Sequence, residues 1–498
     1  MRHYSFSRWD VLPFVAGLLY TLAFAPFDYA YLALIALALL FASWQQCSPK
    51  RALLRGYLFG LGAFGLGVSW VFVSIHDFGK AGVLSAGVLT SLFCGFWALF
   101  PALAAYASAK LTAYTPDRWA GWQMPIAWLA VEYVRSVWVL DGFPWLHSGY
   151  AQLATPLAGY VPVFGLYGVG LLVALTANAA VTAITRKAQR VALLLAIALL
   201  WLIGGVLQTV RWTHALGAPL QVSLIQGNIA QDKKWRPEFK LETLNFYKTA
   251  TEAHWDSAVV VWPETAVPAY LSAVYDGFLK PLEQAAKSHH SDLIVSLPVE
   301  GDSEQIRFNA VMTLGRSSGL YKKRHLLPFG EFQPWQPVSA WVLQSLGIRM
   351  GHFTPGDADQ TLLEAGGYPF VTTICYEDVF GALGLNGVPA AAYLVNVTND
   401  GWFGDTLEPH QHIQMAQMRA LETGRFLLRS ANTGRTAIIA PDGHIVSQLP
   451  LFTATVLTDT ITPMTGLTPY ARWGDIPAMM AWLVLVAMVI RPGAAVRG

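Results

Sequence analysis

The sequence predicts a polytopic α-helical membrane protein that carries one α/β domain outside the cytoplasm. Three observations support this prediction. Of the 498 residues, 54% are hydrophobic and only 13% are charged, whereas soluble domains carry about 25% charged residues. Charged residues are scarce in 9–212 and 473–490, while 219–465 has the polar content of a globular domain. Lysines and arginines between the apolar segments fall on one side of the membrane.

The apolar segments predict about eight membrane spans, since a helix needs about 20 apolar residues to cross a hydrocarbon core of about 30 Å. They divide the chain into a transmembrane domain with seven spans (1–212), a polar domain (213–472), and a last span with a short tail (473–498). The predicted spans are 10–27, 29–45, 56–75, 82–108, 121–139, 160–184, 191–212 and 473–490.

The distribution of basic residues predicts the orientation, because cytoplasmic loops are enriched in lysine and arginine. Placing both termini in the cytoplasm puts the basic loops on the cytoplasmic side and residues 213–472 on the opposite side, the periplasm of a double-membraned bacterium. The predicted location is therefore the bacterial inner membrane. The residues concerned are Arg2, Arg8, Lys50, Arg51, Arg55, Lys110, Arg118, Arg186, Lys187, Arg190, Arg491 and Arg497.

The polar domain alternates short apolar runs with helical patterns, which predicts an α/β layered fold. Ligand sites in such sheets lie beyond the carboxyl ends of strands. Helices are predicted at 238–255, 277–289 and 411–423. Strands are predicted at 220–226, 258–262, 292–298, 309–314, 370–374, 391–397 and 435–440.

Cys375 ends an apolar run and is a candidate nucleophile. Cys47 and Cys94, the two other cysteines, lie in or beside apolar segments. Two further polar motifs stand at predicted strand ends. One is Val-Val-Trp-Pro-Glu-Thr, which contains Glu264, and the other is the basic run at 321–331, which ends in Pro-Phe-Gly-Glu.

These three motifs, in this order, resemble the Glu-Lys-Cys triad of the nitrilase superfamily. The sequence His-Leu-Leu-Pro-Phe-Gly-Glu at 325–331, with seven predicted spans before the domain and one after it, resembles the apolipoprotein N-acyltransferase family. The resemblance extends to residues 142–145, 225–229 and 399–404 and covers nearly the whole chain. It implies a nitrilase-like αββα sandwich for the polar domain.

The resemblance assigns Cys375 as nucleophile, Glu264 as general base and Lys323 as the ammonium that stabilises the oxyanion. This fits the chemistry, because a thiol of pKa about 8.5 needs a base and a thioester is a good acyl carrier. Lys322 is adjacent to Lys323 and is not excluded by spacing. Neighbouring side chains in an extended segment point to opposite faces, so only one of the two should reach the site.

The resemblance also implies supporting residues. Glu331 is expected to be an essential carboxylate that orients Lys323 or the substrate amine. Glu377 is either a salt-bridge partner or, as we favour, an acid of the substrate site. Trp402 and Phe403 are expected to line an acyl channel. The remaining substrate-site candidates are Trp235, Tyr376 and Asn309.

Glu132 and Arg135 lie three residues apart in the fifth apolar segment and share a helix face. Either they pair near the interface, or Arg135 contacts a phosphate headgroup. Residues 334–350, an apolar arm or an internal flap, and the loop 140–159 are candidates for a lipid portal.

His410 and His412 lack the spacing of a helical zinc site, and we interpret them as structural or surface residues. No metal or cofactor is predicted.

The predicted function is ping-pong transfer of a fatty acyl group from a phospholipid to a lipoprotein. The resemblance implies phosphatidylethanolamine as donor, a Cys375 thioester, and as acceptor the α-amine of an N-terminal S-diacylglyceryl-cysteine.

One alternative is a membrane-tethered nitrilase-like amidase that uses water as acceptor. A transporter or receptor would carry ionisable residues in several spans, and here only Glu132 and Arg135 stand out. The net charge of +2 does not indicate nucleic acid.

Overall fold

The computed structural model describes residues 8–303, 305–337, 339–341 and 351–490. These form two compact units. A helical unit comprises 8–72, 83–210 and 473–490, and a sandwich unit comprises 73–82 and 211–472. Segment 73–82, which precedes the fourth predicted span, therefore belongs with the polar domain. Arg2, Arg491, Arg497 and residues 342–350 of the predicted portal arm, among them Val342, Leu343, Leu346 and Ile348, lie outside the described residues.

A helix overlaps each of the eight predicted spans. Among the described residues, three helices are long and apolar enough to cross a membrane, or four if Pro49–Gly67 and Val71–Phe78 count as one span. The three are Val83–Tyr114, Pro156–Thr185 and Lys187–Leu207. The number of spans and their orientation stay predictions. The helices are α1 (Arg8–Thr21), α2 (Tyr31–Trp44), α3 (Pro49–Gly67), α4 (Val83–Leu111), α5 (Gln123–Val137), α6 (Val161–Thr185), α7 (Arg190–Leu207) and the C-terminal helix Ile476–Val489.

The connection from α5 to α6 is buried inside the helical unit, although we predicted a loop at a lipid portal. Trp145, His147 and Tyr150 are all buried, so the described structure contradicts an open portal formed by these residues. Irregular backbone at membrane depth needs internal hydrogen-bond partners. Arg135 supplies them by donating to the carbonyls of Phe143 and, at 2.8 Å, Trp145.

Glu132 supports the same connection from its other end. Its carboxylate accepts hydrogen bonds from the Ser148 amide and hydroxyl, each at 3.3 Å, and lies 3.4 Å from His147 Nε2. Arg135 is 3% exposed. Both charged residues are therefore engaged with the buried connection, which favours a structural role for Arg135 over contact with a headgroup.

The described residues of the sandwich unit form two six-stranded sheets, in the strand orders β12-β11-β10-β9-β8-β7 and β13-β2-β3-β4-β5-β6, and a small pair β1-β14. Strands β2, β3 and β4 are parallel, as are β8, β9 and β10. The strands are β1 (Thr213–Ala215), β2 (Leu220–Gln226), β3 (Val259–Val261), β4 (Asp292–Glu300), β5 (Arg307–Leu314), β6 (Gly319–Lys322), β7 (Leu363–Ala365), β8 (Tyr368–Ile374), β9 (Tyr393–Thr398), β10 (Leu427–Ala431), β11 (Ala437–Ile439), β12 (Ile445–Gln448), β13 (Thr455–Ile461) and β14 (Met464–Gly466).

The sheets pack face to face, and helices cover their outer faces, as the αββα prediction requires. The position of strand β3 explains why its sequence is apolar throughout. Val259 and Val261 point into the core between the sheets, whereas Val260 packs under the helices. A strand buried on both faces selects β-branched residues throughout. The covering helices are α8 (Pro237–Glu252), α9 (Lys280–Ser288) and α10 (Glu408–Thr423).

Three site candidates follow strand ends. Glu264 comes three residues after β3, Lys323 directly follows β6, and Cys375 directly follows β8. Strand β6 pairs antiparallel with β5, which pairs antiparallel with β4. It therefore runs in the direction of β3 and β4, so Glu264 and Lys323 lie at the same edge of their sheet.

Candidate active site

Lys323 lies between two carboxylates in a buried cluster. Its Nζ is 2.7 Å from Glu331 Oε2 and 3.9 Å from Glu264 Oε1, and the residue is 1% exposed. Burial opposes the charge of Lys323, but Glu331 and then Glu264 raise its pKa above the ordinary value. The side chain is therefore a fixed ammonium, which is the group an oxyanion requires.

Asn309, at the start of β5, joins the two carboxylates. Its Nδ2 donates to Glu264 Oε1 at 2.8 Å and to Glu331 Oε1 at 3.1 Å. The Leu327 amide donates to Glu331 Oε2 at 2.9 Å. Burial raises the pKa of Glu264, while Lys323 opposes that rise. A carboxylate with a raised pKa is a better proton acceptor than an ordinary one.

Cys375 lies close enough to Glu264 and Lys323 for both side chains to shift the pKa of its thiol. Burial raises the pKa of its thiol well above the ordinary value; Glu264 raises it further, and Lys323 lowers it. The resting sulfur is therefore a neutral thiol that needs a base. Its backbone φ of +49° is in the left-handed region, which costs a non-glycine residue about 1–2 kcal/mol. Such strain collects at functional sites.

Lys322 does not share the environment of Lys323. Its Nζ lies 4.0 Å from the centre of the Phe308 ring. Lys322 is the last residue of β6 and Lys323 follows directly, so alternation along the extended chain separates the two side chains. The geometry resolves the ambiguity of the sequence in favour of Lys323 as the neighbour of Glu264.

Glu377 is buried and engaged entirely with the protein around it. Its carboxylate accepts hydrogen bonds from the Tyr321 hydroxyl at 3.0 Å and from the amides of Arg324, His325 and Ile374 at 2.7, 3.0 and 2.8 Å. It thus ties the chain after β6 to the end of β8. This geometry favours a role for Glu377 in positioning Lys323 and Cys375 over direct contact of Glu377 with the substrate.

The aromatic candidates occupy different environments. Trp235 is 50% exposed, while Tyr376 is buried beside the rings of His325 and Phe380. Trp402 is 41% exposed and packs edge-to-face against Phe78 at 5.6 Å. Phe403, which follows Trp402, is partly buried. In the described part of the portal arm, Trp335 and Trp341 are exposed.

Lys234 was missed by sequence reasoning. It is buried, and its Nζ donates to the Glu264 carbonyl oxygen at 2.9 Å. Burial lowers its pKa to about 8, whereas Glu264 and Cys375 oppose that change. The sequence signal was a lysine before Trp235, a candidate we did name, but a single lysine in a polar loop carries little weight.

His412 is buried, which agrees with the structural role that we expected for it. Its ring lies 2.8 Å from Asp378 Oδ1 and 2.9 Å from Asp400 Oδ1. Possible metal ligands on Asp400, Glu408 and His412 fall within 4.8 Å of one another. Arg429 lies 3.2 Å from Asp400, and both His412 nitrogens have carboxylate partners. The cluster is therefore an ion-pair network around His412, and we assign no metal to it.

Two family models match successive parts of the chain. Residues 16–179 match the apolipoprotein N-acyltransferase N-terminal domain, and residues 221–470 match the carbon-nitrogen hydrolase family. Among solved structures, the chain is similar to Saccharomyces cerevisiae Nit3, a member of branch 10 of the nitrilase superfamily. The TM-score is 0.38 at 16% identity, covering 50% of this chain and 92% of Nit3.

Curated relatives from several bacteria carry the name apolipoprotein N-acyltransferase, and three of them show how far the similarity extends. The protein of Methylococcus capsulatus is 49% identical over 94% of this chain and 93% of its own length. That of Coxiella burnetii is 40% identical over 94% and 97%, and that of Pseudomonas aeruginosa is 41% identical over 95% and 94%. With this identity along nearly the whole length, the chain belongs to the apolipoprotein N-acyltransferase family.

Proposed function

We propose that this protein transfers a fatty acyl group from a phospholipid to the α-amine of an N-terminal S-diacylglyceryl-cysteine on an apolipoprotein. The observation that carries the proposal is the cluster in which Lys323 lies 2.7 Å from Glu331 and 3.9 Å from Glu264. The Cys375 thiol is near enough for Glu264 and Lys323 to shift its pKa. These are the groups that acyl transfer through a thioester requires.

In the first half-reaction Glu264 takes the thiol proton of Cys375 as the sulfur attacks the ester carbonyl. A C–S bond forms, and the oxyanion is stabilised by the Lys323 ammonium. The C–O bond of the ester then breaks, and the leaving alkoxide takes the proton from Glu264. The products are the Cys375 thioester and a lysophospholipid.

In the second half-reaction the neutral α-amine of the acceptor attacks the thioester. Glu264 takes a proton from the attacking nitrogen, a C–N bond forms, and the C–S bond breaks. The thiolate recovers the proton as the amide product leaves. An amide is more stable than a thioester, so this half-reaction is effectively irreversible.

We place the reaction at the outer face of the bacterial inner membrane, with about eight spans, both termini in the cytoplasm and residues 213–472 in the periplasm. Both substrates are lipids, and each buried CH₂ group costs about 0.8 kcal/mol to extract. A domain held at the membrane receives them by lateral diffusion. Phosphatidylethanolamine is the proposed donor.

An alkyne-bearing phospholipid tests the proposal. Incubated with the purified protein in detergent and without acceptor, it should label wild type but neither Cys375→Ser nor Cys375→Ala. Lys322→Met is the matched control and should label like wild type. Labelling that survives in Cys375→Ala, or wild type that stays unlabelled while folded, would refute the thioester.

A further inference from the structure

Five ionisable side chains form a buried network behind the Cys375 turn. Arg429 Nη1 lies 3.0 Å from Asp378 Oδ2, and its Nη2 lies 3.2 Å from Asp400 Oδ2. His412 bridges the same two carboxylates, at 2.8 and 2.9 Å. Glu408 lies 3.4 Å from the His412 ring. All five are buried. Two cations from α10 and β10 thus hold two carboxylates that follow β8 and β9.

The network reaches the nucleophile along three routes. Asp378 belongs to the helical turn Cys375–Val379 that begins at the nucleophile itself. The Thr398 hydroxyl donates to Asp400 Oδ1 at 3.0 Å and lies within hydrogen-bond reach of the Cys375 sulfur. When its single hydrogen turns to the sulfur instead, it stabilises the thiolate and so lowers the thiol pKa. Asn396 accepts from Arg429 at 2.6 Å and donates to the Cys375 carbonyl at 3.4 Å.

The charges of the network balance. Burial opposes ionisation of Asp400, but Arg429 and His412 lower its pKa to about 2. Burial and Arg429 oppose the charge of His412, but Asp378 and Asp400 raise its pKa to about 10. Burial raises the pKa of Glu408 well above its ordinary value, so this acid is neutral. Two carboxylates therefore face two cations.

Removing one cation has a defined consequence for the sulfur. Asp400 acts on the thiol electrostatically and raises its pKa, as Glu264 does, whereas Lys323 lowers it. A buried charge that loses its partner is felt strongly in a medium of low dielectric constant. The Cys375 turn also stores strain at φ +49°, and only surrounding structure maintains such a conformation.

We propose that His412 and Arg429 are positioning residues that clamp Asp378 and Asp400, and thereby hold the Cys375 turn in its strained conformation and neutralise the charge behind the sulfur. The clamp acts on the nucleophile through Asp378, Thr398 and Asn396, and it touches no substrate. The inference rests on the proposed function only in taking Cys375 as the nucleophile.

The test is the rate at which iodoacetamide alkylates Cys375, measured against pH by mass spectrometry of the Cys375 peptide. In folded His412→Gln the rate profile should move to higher pH. At pH 8 the rate should fall by about tenfold for each unit that the thiol pKa rises. Asp378→Asn combined with His412→Gln removes one charge of each sign. The profile of that double variant should therefore lie closer to wild type than the profile of His412→Gln alone.

The matched control is Arg419→Gln, which breaks another buried ion pair on α10, 3.1 Å from Glu422. It should lower the unfolding temperature and leave the alkylation profile unchanged. If His412→Gln does not fold, Thr398→Val becomes the test variant, because it removes the hydroxyl between Asp400 and the thiol. Thr398→Val should shift the profile to higher pH, and Thr398→Ser should restore it.

A wild-type profile in folded His412→Gln, or in Thr398→Val if His412→Gln does not fold, would overturn the clamp. Alkylation needs no phospholipid, so this result is separate from the fate of the proposed function. Failure of wild type to form a thioester would refute that function and leave the alkylation comparison standing.

Discussion

Glu331 Oε2 lies 2.7 Å from the Lys323 ammonium nitrogen, closer than the 3.9 Å that separates this nitrogen from Glu264. Glu331 therefore holds the ammonium, and Glu264 is left with a longer and weaker attraction. A base that formed the tighter pair would have a lower pKa and would accept protons poorly. The second carboxylate lets the site keep a charged lysine and a basic glutamate side by side.

Glu331→Gln should lower the rate of Cys375 acylation by about 10²-fold, the usual cost of losing one aligned charge or donor at an oxyanion. Glu331 also raises the pKa of Glu264, so the acid limb of the pH–rate profile should move to lower pH. Single-turnover acylation between pH 4 and pH 9 measures both effects. Glu364→Gln, at an exposed strand residue, is the control. An unchanged acid limb would contradict this role for Glu331.

Lys323→Met should reduce acylation by about 10²- to 10³-fold, whereas Lys322→Met should stay within about threefold of wild type. The reason is that Lys323 lies between Glu264 and Glu331, while Lys322 lies over the Phe308 ring. Initial rates of lysophospholipid release compare the two variants. Equal losses in both would show that the basic run acts as a unit and that the assignment of Lys323 is wrong.

The acylation half-reaction should be bell-shaped in pH. Its rate should fall as the pH decreases through the raised pKa of Glu264, because the base becomes protonated. It should also fall as the pH rises through about 8, where Lys234 loses the charge it holds beside Glu264 and Cys375. Omitting the acceptor removes the titration of the substrate amine. Lys234→Met should be slower and should lack the alkaline limb; an alkaline limb that persists would exclude Lys234 as its source.

Arg135→Leu should reduce stability and leave recognition of phospholipid unchanged in the folded fraction. The substitution removes two hydrogen bonds from a charged donor to the carbonyls of Phe143 and Trp145, a loss of about 2–5 kcal/mol. Unfolding in detergent and the KM for phospholipid test this, with the exposed Arg118→Gln as control. A higher KM at an unchanged unfolding temperature would favour the headgroup alternative.

Much of the fold was predictable because strands buried on both faces have continuous apolar sequences. Strand β2 matches its predicted bounds of 220–226, and the prediction for β8 missed only two residues at its start. Strand β10 was missed because Arg429 and Ser430 interrupt its apolar run. Arg429 is buried there only because Asp378 and Asp400, distant in sequence, neutralise it. Such pairing has no local signature.

The candidate active site was likewise predictable only in part. Motif order assigned Glu264, Lys323, Glu331 and Cys375 as candidates, and the fold brings them within electrostatic reach of one another. The contact of Trp402 with Phe78 was not predictable, since 73–82 comes from a connection far earlier in the chain. The burial of the loop 140–159 was not predictable, because the partners of its backbone groups, Glu132 and Arg135, come from the preceding helix.

The most direct test of the account is mass spectrometry of the Cys375 peptide in a pulse and chase. After incubation with phosphatidylethanolamine, wild type should carry one fatty acyl mass on Cys375. Addition of a synthetic peptide with an N-terminal S-diacylglyceryl-cysteine should remove that mass and place it on the peptide amine. A thioester that discharges to free fatty acid at the same rate with or without the peptide would contradict acyl transfer and indicate a hydrolase. A wild-type Cys375 that never carries the acyl mass, while transfer proceeds, would contradict the covalent mechanism.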